Sequence, residues 1–547
     1  MAFLYYNCNK GEKNLFSHFR PIFVCFLSLM LGIWLAEMFR EGKTAYFIVL
    51  LAFSVLLLVV TIFLCIKKTN LKEMFLGYCK FFSVCIISIL VGFGLFFGQI
   101  QTFTKENNVS FNGTSNFVVS GNLKDCAVVY DKEATFFLEN VFVSGDGKAY
   151  KLDKGIYVKM AKEIDDKLSA INEAQIGDKI SFVGTMSTAE VLSKSGVFIF
   201  AYKNDIRYIA TTNSDKLVNV TSEQKELNFF DKTRMLIKET IYNNMDDRNA
   251  GLSYAIFVGD LSGVDYDIVS NFRATGLAHL LAVSGLNTSL MALVLMWILG
   301  KMKIKPKYSI IVVFLLLLFY CIICNFCASC LRASLMSVFL LIARAFGKQN
   351  DSLNSISLSG IILLLFCPLF VFDMSFVLSY ACVFGMVMLG PVFYKFFLKC
   401  HLGKFISMNL ALSLSAQITT LCLCVNTFGY ISVVALLMNL LICPIMEYVY
   451  IASFVSLLIT LIMPFMGFLL WLCQWGLWLV DVVTSFVASF SFSVAYLDKI
   501  SGLFLLWTFL ATYIFSGFMI EKNKKKKIAI HSTTLGVGVV LLCFSFL

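Results

Sequence analysis

Polar chemistry is densest between Arg273 and Ser289, where Arg273, His279, Ser284, Gly285, Asn287, Thr288 and Ser289 interrupt an otherwise apolar run. Such groups at membrane depth cost about 2.5–3.5 kcal/mol each when charged, so they face a partner or a wet cavity. Gly285 directly after Ser284 weakens a helix, and Asn287 is placed to satisfy backbone groups freed there. The spacing therefore predicts a broken helix, which is tolerated only where it lines a cavity or lies buried in protein. The plainer alternative is a polar helix–helix contact packed through small residues. A nucleophilic pairing of Ser284 with His279 meets a geometric obstacle, because five residues set them about 140° apart on a continuous helix. Their hydrogen bond would need a break between them, and no second histidine lies in the apolar segments before His531, so a hydrolase is disfavoured.

Two other places hold groups that lipid does not welcome. Arg332 follows a run of cysteines near the start of an apolar stretch, where it lines a path or snorkels to an interface. Asp373 sits between two apolar stretches, in the place of a helix N-cap, and Ser375 and Ser379 share a face of the segment after it. Asn439, Pro444 and Glu447 divide the apolar run 430–463 and suggest a second discontinuous helix. Cys321, Cys324, Cys327 and Cys330 form a CxxCxxCxxC run. Iron–sulfur sites use similar spacing, but this run is embedded in apolar sequence without the usual following proline, so packing is the expected role and a disulfide or metal the alternative. The four histidines, at 18, 279, 401 and 531, are scattered, and no GxxxxGK[ST] loop exists. Metal, cofactor and nucleotide-hydrolysis chemistry are therefore not expected.

The elements that must position these residues follow from composition. Of 547 residues 59% are hydrophobic and 14% charged, and the mean hydropathy is +0.81. A soluble core of that size would lack polar surface to cover it, so the chain reads as an integral membrane protein. Residues 101–247 carry 18 Lys+Arg against 21 Asp+Glu, a net of −3, which excludes a basic nucleic-acid-binding domain by charge alone. The rest carries a net of +14 beside apolar stretches, as the positive-inside bias requires. Spans are expected at 21–39, 45–66 and about 81–99, with the N-terminus and the lysine-bearing loop 67–80 cytoplasmic. Further apolar stretches run at 276–299, 308–326, 329–346, 355–372, 374–396, 405–425, 430–463, 464–490, 503–520 and 528–547.

Between the third span and residue 230 no run is long enough to cross a bilayer. Short alternating segments at 117–120, 135–143, 156–160, 180–184 and 206–210, separated by turns such as Gly177-Asp178, predict a five-stranded OB-like barrel outside the membrane. Residues 231–250 then read as one amphipathic interfacial helix, with Met235, Leu236, Ile241 and Tyr242 apolar and Lys232, Arg234, Lys238 and Glu239 polar. The expected fold class is a polytopic α-helical membrane protein with an inserted extracytoplasmic small β-barrel.

The stretch from Gly259-Asp260 through Arg273, Gly276, His279 and Ser284-Gly285 to Asn287 resembles the signature of the ComEC family of competence proteins. The Leu331-Arg332-Ala333 run resembles a second family motif, and Phe372-Asp373 through Ser379-Tyr380-Ala381 a third, in the family's order. The resemblance implies an inner-membrane channel passing one strand of DNA into the cytoplasm during natural transformation. Its organisation would be 1–99 (three spans), 100–230 (OB-like domain), 231–250 (interfacial helix), 251–520 (channel domain) and 521–547 (basic loop and apolar helix). By position, His279, Ser284, Gly285, Asn287, Arg332, Asp373 and Ser379 would line or shape the path. Single-stranded DNA is the implied partner, beside a separate receptor, a cytoplasmic helicase or translocase and a nuclease, with a homo-oligomer also compatible. Many relatives carry a C-terminal metallo-β-lactamase-like domain; this chain ends in an apolar run without a histidine–aspartate cluster, so no enzyme activity is expected of it. Val377 stands where relatives often have Gln, which puts that polar contact in doubt.

Overall fold

The computed structural model describes residues 21–40, 71–105, 111–124, 128–129, 133–145, 148–152, 154–161, 171, 174, 177–188, 206–221, 228–348, 351–497, 500, 502–516, 531–534 and 536–537. The expected span 45–66, the basic residues Lys522 and Lys524–Lys527 and most of 528–547 lie outside the described residues. Two compact units emerge, one of Cys25–Thr233 with Leu363–Asp373, the other of Met1–Val24, Arg234–Ile362 and Met374–Leu547.

In the first unit, α1 (Pro21–Arg40) and α2 (Leu71–Lys105) cross at glycines. A side chain on Gly32 would run into the Ile89 carbonyl, and one on Gly92 into that of Leu29, so the backbones approach as small-residue crossings in membranes do. The expected third span is contained in α2, but the helix starts at Leu71, ahead of the expected start, and swallows part of the lysine-bearing loop.

The barrel follows in the same unit. Strands β1 (Asn112–Leu123), β3 (Glu133–Gly145), β5 (Gly155–Ala161), β6 (Lys179–Thr188) and β7 (Ile206–Asn213) are the five expected from alternation; short β2 (Val128–Val129), β4 (Lys148–Lys151) and β8 (Leu217–Thr221) hang on β3 or β6. Neighbours run β1-β3-β5-β7-β6, and β1 pairs with β6 to close the ring. Because β7 inserts between β5 and β6, it lies parallel to β5 while every other pair in the ring is antiparallel. That order is the OB-type barrel. Alternation explains the core: Ile156, Val158 and Met160 of β5 and Ile180, Phe182 and Met186 of β6 point inward with Phe136 and Leu138. The Gly177-Asp178 turn leads into β6, with Gly177 at φ 100° and its N–H donating to the Leu123 carbonyl at 2.8 Å.

The second unit is helical. The single interfacial helix expected over 231–250 is instead two, α3 (Phe229–Tyr242) and α4 (Asp247–Val258). Arg234, expected on the polar face, is buried and donates to the Ile322 and Ile323 carbonyls at 2.8 and 2.9 Å and to Asn325, while Leu236 is exposed. The reason is electrostatic: those carbonyls end α8 (Pro306–Ile323), and a cation there satisfies the helix C-terminus better than water reaches it. Helices α5 (Tyr266–Ala274), α6 (Ala278–Leu281) and α7 (Gly285–Lys301) precede α8. Beyond it come α9 (Ala328–Ala345), α10 (Ser352–Phe366), α11 (Met374–Lys399), α12 (Lys404–Phe428), α13 (Ala435–Ile462), α14 (Phe468–Ala488) and α15 (Gly502–Phe515). Among the described residues, seven helices are long and apolar enough to cross a membrane; the segments over 285–301, 308–323 and 352–366 are shorter and apolar. The chain is a polytopic α-helical membrane protein carrying an OB-like barrel.

Two expectations about the apolar runs need correcting. The run 430–463 holds one uninterrupted helix, α13, of 28 residues, with Pro444 inside it, rather than a discontinuous one. Its first residues form β9 (Tyr430–Ser432), paired with β10 (Val494–Tyr496), so the excess length is a strand and not a second helix. A proline removes one N–H and crowds the preceding turn, which kinks a helix without ending it when packing on both sides persists. The run 355–372 is likewise a helix followed by a 3₁₀ turn at Pro368–Phe372.

Candidate functional site

The interrupted run expected around residue 280 is present. Gly276, at φ 76°, turns the chain out of α5; α6 then lasts four residues, Ala282 and Ser284 are extended, and α7 starts at Gly285. Ser284 is the N-cap of α7: its Oγ accepts from the Asn287 N–H at 3.1 Å. The Thr288 hydroxyl donates back to the Ser284 carbonyl at 3.2 Å, and that of Ser289 to Gly285 at 2.8 Å. Ser284 thus holds the corner, and His279 lies not against Ser284 but against the Cys443 thiol, 3.9 Å from Nε2, and bonds the Gly276 backbone. The cysteine run packs beneath the same corner. Val283 is buried with Cys321, Cys324 and Cys330, with Cys321 Sγ 3.4 Å from Cys330 Sγ and 3.3 Å from Ser334 Oγ.

Helix α13 supplies the facing wall. Asn439, Cys443 and Glu447 recur every four residues and share one of its faces. Cys443 approaches His279 on one side and donates to Asn439 Oδ1 at 3.6 Å on the other; Asn439 Nδ2 reaches Ser413 Oγ at 3.2 Å, which also accepts from Gln417 Nε2 at 3.3 Å. A polar track therefore runs from the corner across α13 to α12. Beside it Ile256, Leu280, Leu286, Asn287, Cys443, Met446, Glu447 and Tyr450 enclose about 10 Å³, the room of about one water molecule. A polynucleotide does not fit in that crevice.

Arg332 lies on another side of the α7 start. Only 6% of it is exposed, and its guanidinium rests against Gly285, where any Cβ would strike Nη2. It stacks over the Tyr380 ring, 5.8 Å from the centroid, and its Nη1 lies 3.9 Å from the Met336 sulfur. Tyr380 is held by the Ser359 hydroxyl at 3.0 Å and by Phe376, 4.3 Å ring to ring. The structure thus brings His279, Ser284, Gly285, Asn287, Arg332, Asn439 and Glu447 to one corner and its two walls. Ser379 is half-buried on α11 beside Tyr380 in sequence. Asp373 ends the stretch assigned to the other unit; it directly precedes α11, with extended φ −77° and ψ 117°, as an N-cap residue does.

One constellation escaped the sequence reading. Asp481, buried inside α14, pairs with Arg248 of α4 through Nε at 2.8 Å and Nη2 at 3.3 Å, and Arg248 also reaches Asp265 at 3.1 Å. The Asp481 hydrogen bond raises the Arg248 pKa, the nearby Asp265 and Asp267 charges adding to it. Asn271 donates to Ser485 at 3.0 Å one turn along. An acid within an otherwise apolar 25-residue span was the available signal.

A family model described as "Competence protein" matches residues 256–522, the stretch that contains the corner, Arg332 and the α13 wall. Over those residues the chain is of the ComEC family of competence proteins. The ComE operon protein 3 of Bacillus subtilis (strain 168) is 31% identical over 196 residues, covering 36% of this chain. The matched stretch spans 24% of that relative's length. No solved structure matches.

Proposed function

We propose that this competence protein is an inner-membrane channel that passes single-stranded DNA into the cytoplasm during natural transformation, and that the α6–α7 corner borders the passage. The observation that carries the reading is the break itself: extended backbone and buried polar side chains interrupt an apolar run inside the region matched by the competence family. Backbone of this kind is tolerated at membrane depth where it lines a cavity or is buried in protein. The OB-like barrel is compatible with the same reading, because OB surfaces take single strands by stacking and backbone contact. The net charge of −3 over 101–247 argues against strong nonspecific capture there unless its charges segregate onto faces. On this reading the barrel (100–230) is extracytoplasmic, 251–520 form the channel and the N-terminus is cytoplasmic. A separate receptor, a cytoplasmic motor and a nuclease would complete the machinery, and the chain itself performs no covalent chemistry.

Deleting the gene is expected to abolish entry of labelled DNA into the cytoplasm while binding at the cell surface persists; undiminished entry refutes the proposal. The alternative reading is a transporter of a smaller anionic or polymeric substrate on the same scaffold. Proteoliposomes separate the two: single-stranded DNA crosses and small anions do not if the first holds.

A further inference from the structure

We propose that Arg332 and the N-terminus of α7 form a phosphate-binding site and that its occupant is a phosphodiester of the translocated strand; the occupant, though not the site, rests on the reading above. The guanidinium is 94% buried, as its 6% exposure states, and its Nε has no hydrogen-bond partner among the described residues. Among those residues no carboxylate pairs with it either; its neighbours are a thioether and an aromatic face. An uncompensated buried cation is expensive, whereas the same cation beside an oxyanion is stabilised by charge-assisted hydrogen bonds.

The other half of the site is the helix end that Arg332 touches. Helix α7 has 17 residues, so its first-turn amides and dipole present partial positive charge at Gly285. The Ser284 hydroxyl takes the Asn287 N–H, but among the described residues the Gly285 and Leu286 N–H groups have no recorded acceptor. Guanidinium and amides converge because position 285 is glycine: a methyl there would occupy the place of Nη2. A planar fork beside two free amides suits a tetrahedral oxyanion with several oxygens to share. The acid of the neighbouring crevice, Glu447, lies with Leu286 and Asn287, and among the described residues it forms no ion pair with Arg332.

The test uses the full chain in zwitterionic nanodiscs, with a fluorescent oligothymidylate and inorganic phosphate as separate probes. Wild type binds the oligonucleotide and is thermally stabilised by inorganic phosphate. Arg332→Gln is expected to weaken oligonucleotide binding about tenfold, to reduce the slope of log affinity against log salt by about 0.7, and to lose phosphate stabilisation. Arg332→Lys keeps the charge without the fork and recovers part of the affinity; if the Gln variant does not fold, the Lys variant's several-fold loss carries the test. Gly285→Ala, with every charge retained, is expected to reproduce the loss. Unchanged binding and stabilisation in all three overturns the site while leaving the channel reading standing. Phosphate stabilisation lost on Arg332→Gln in a protein that binds no oligonucleotide keeps the site and overturns the strand as its occupant. Competition by phosphatidylglycerol discs but not by oligonucleotide assigns it to a lipid headgroup and overturns the strand likewise.

Discussion

The ion pair between Arg248 and Asp481 is lopsided, and the lopsidedness is measurable. The Asp481 side chain is 8% exposed and that of Arg248 44%. Replacing Asp481 with Asn leaves Arg248 half in water, still 3.1 Å from Asp265, so the loss is that of a surface pair, about 1 kcal/mol. Replacing Arg248 with Met strands a buried carboxylate. Removing one member of a buried pair costs roughly 3–5 kcal/mol, and the half-exposed partner puts this case near the bottom of that range, about 3 kcal/mol. The double variant has no stranded charge and should cost little more than Asp481→Asn alone, leaving a coupling of about 3 kcal/mol. Equilibrium unfolding of the purified chain in mixed micelles, followed by tryptophan fluorescence, gives all three values. Equal costs for the two single changes, or a double variant that costs their sum, would show that burial of Asp481 is not what sets the energy.

Three further outcomes test other parts of the molecule. Ser284→Ala should lower stability by about 1 kcal/mol through the lost cap, with Ser284→Asp restoring most of it, and DNA uptake should persist; abolished uptake in a folded Ala variant would mean that the hydroxyl does more than cap. Gly276→Ala forces a methyl into a left-handed conformation and to 2.5 Å from the Ala435 Cβ, so a loss of about 1–3 kcal/mol is expected by thermal unfolding; a neutral effect would refute that packing. Phe182→Ala removes a fully buried ring set edge-on to Phe136 in the barrel and should cost about 3–5 kcal/mol, visible as loss of protease resistance in the 111–221 region; an unaltered digestion pattern would contradict the barrel core.

What was legible in the sequence was whatever local periodicity controls. All five ring strands were found because each buries one face, and the helix break was found because Ser-Gly-x-Asn cannot sit quietly in an apolar run. The misreadings share a different cause. Arg234 looked like the polar face of a surface helix, yet the ends of α8, almost ninety residues away, needed a donor. Pro444 looked like a breaker, yet α13 is held by neighbours along its length, and packing outweighs one missing hydrogen bond. The Arg248–Asp481 pair joins residues 233 apart, so no window of sequence contains it. Long-range electrostatics, unlike periodicity, leaves no local trace.

On the proposed reading, the crevice at the corner must widen to pass a strand. Every wall around it is an unbroken helix: α13 carries Asn439, Cys443 and Glu447, and α9 carries Arg332. Such walls move as rigid bodies, and sliding them exposes many packed residues at once. The short piece from Gly276 to Ser284 is different, because it has four helical residues, a left-handed glycine and extended backbone at its far end. It can swing by changing a few dihedrals while Ser284 keeps α7 capped. Opening on the proposed reading is therefore expected to begin at α6, and the same swing would uncover the Gly285 and Leu286 amides beside Arg332. A cross-link between α6 and α13, for instance at the His279–Cys443 contact after His279→Cys, should then block strand entry while DNA binding at the cell surface persists. Uptake that persists through a completed cross-link would put the moving element elsewhere.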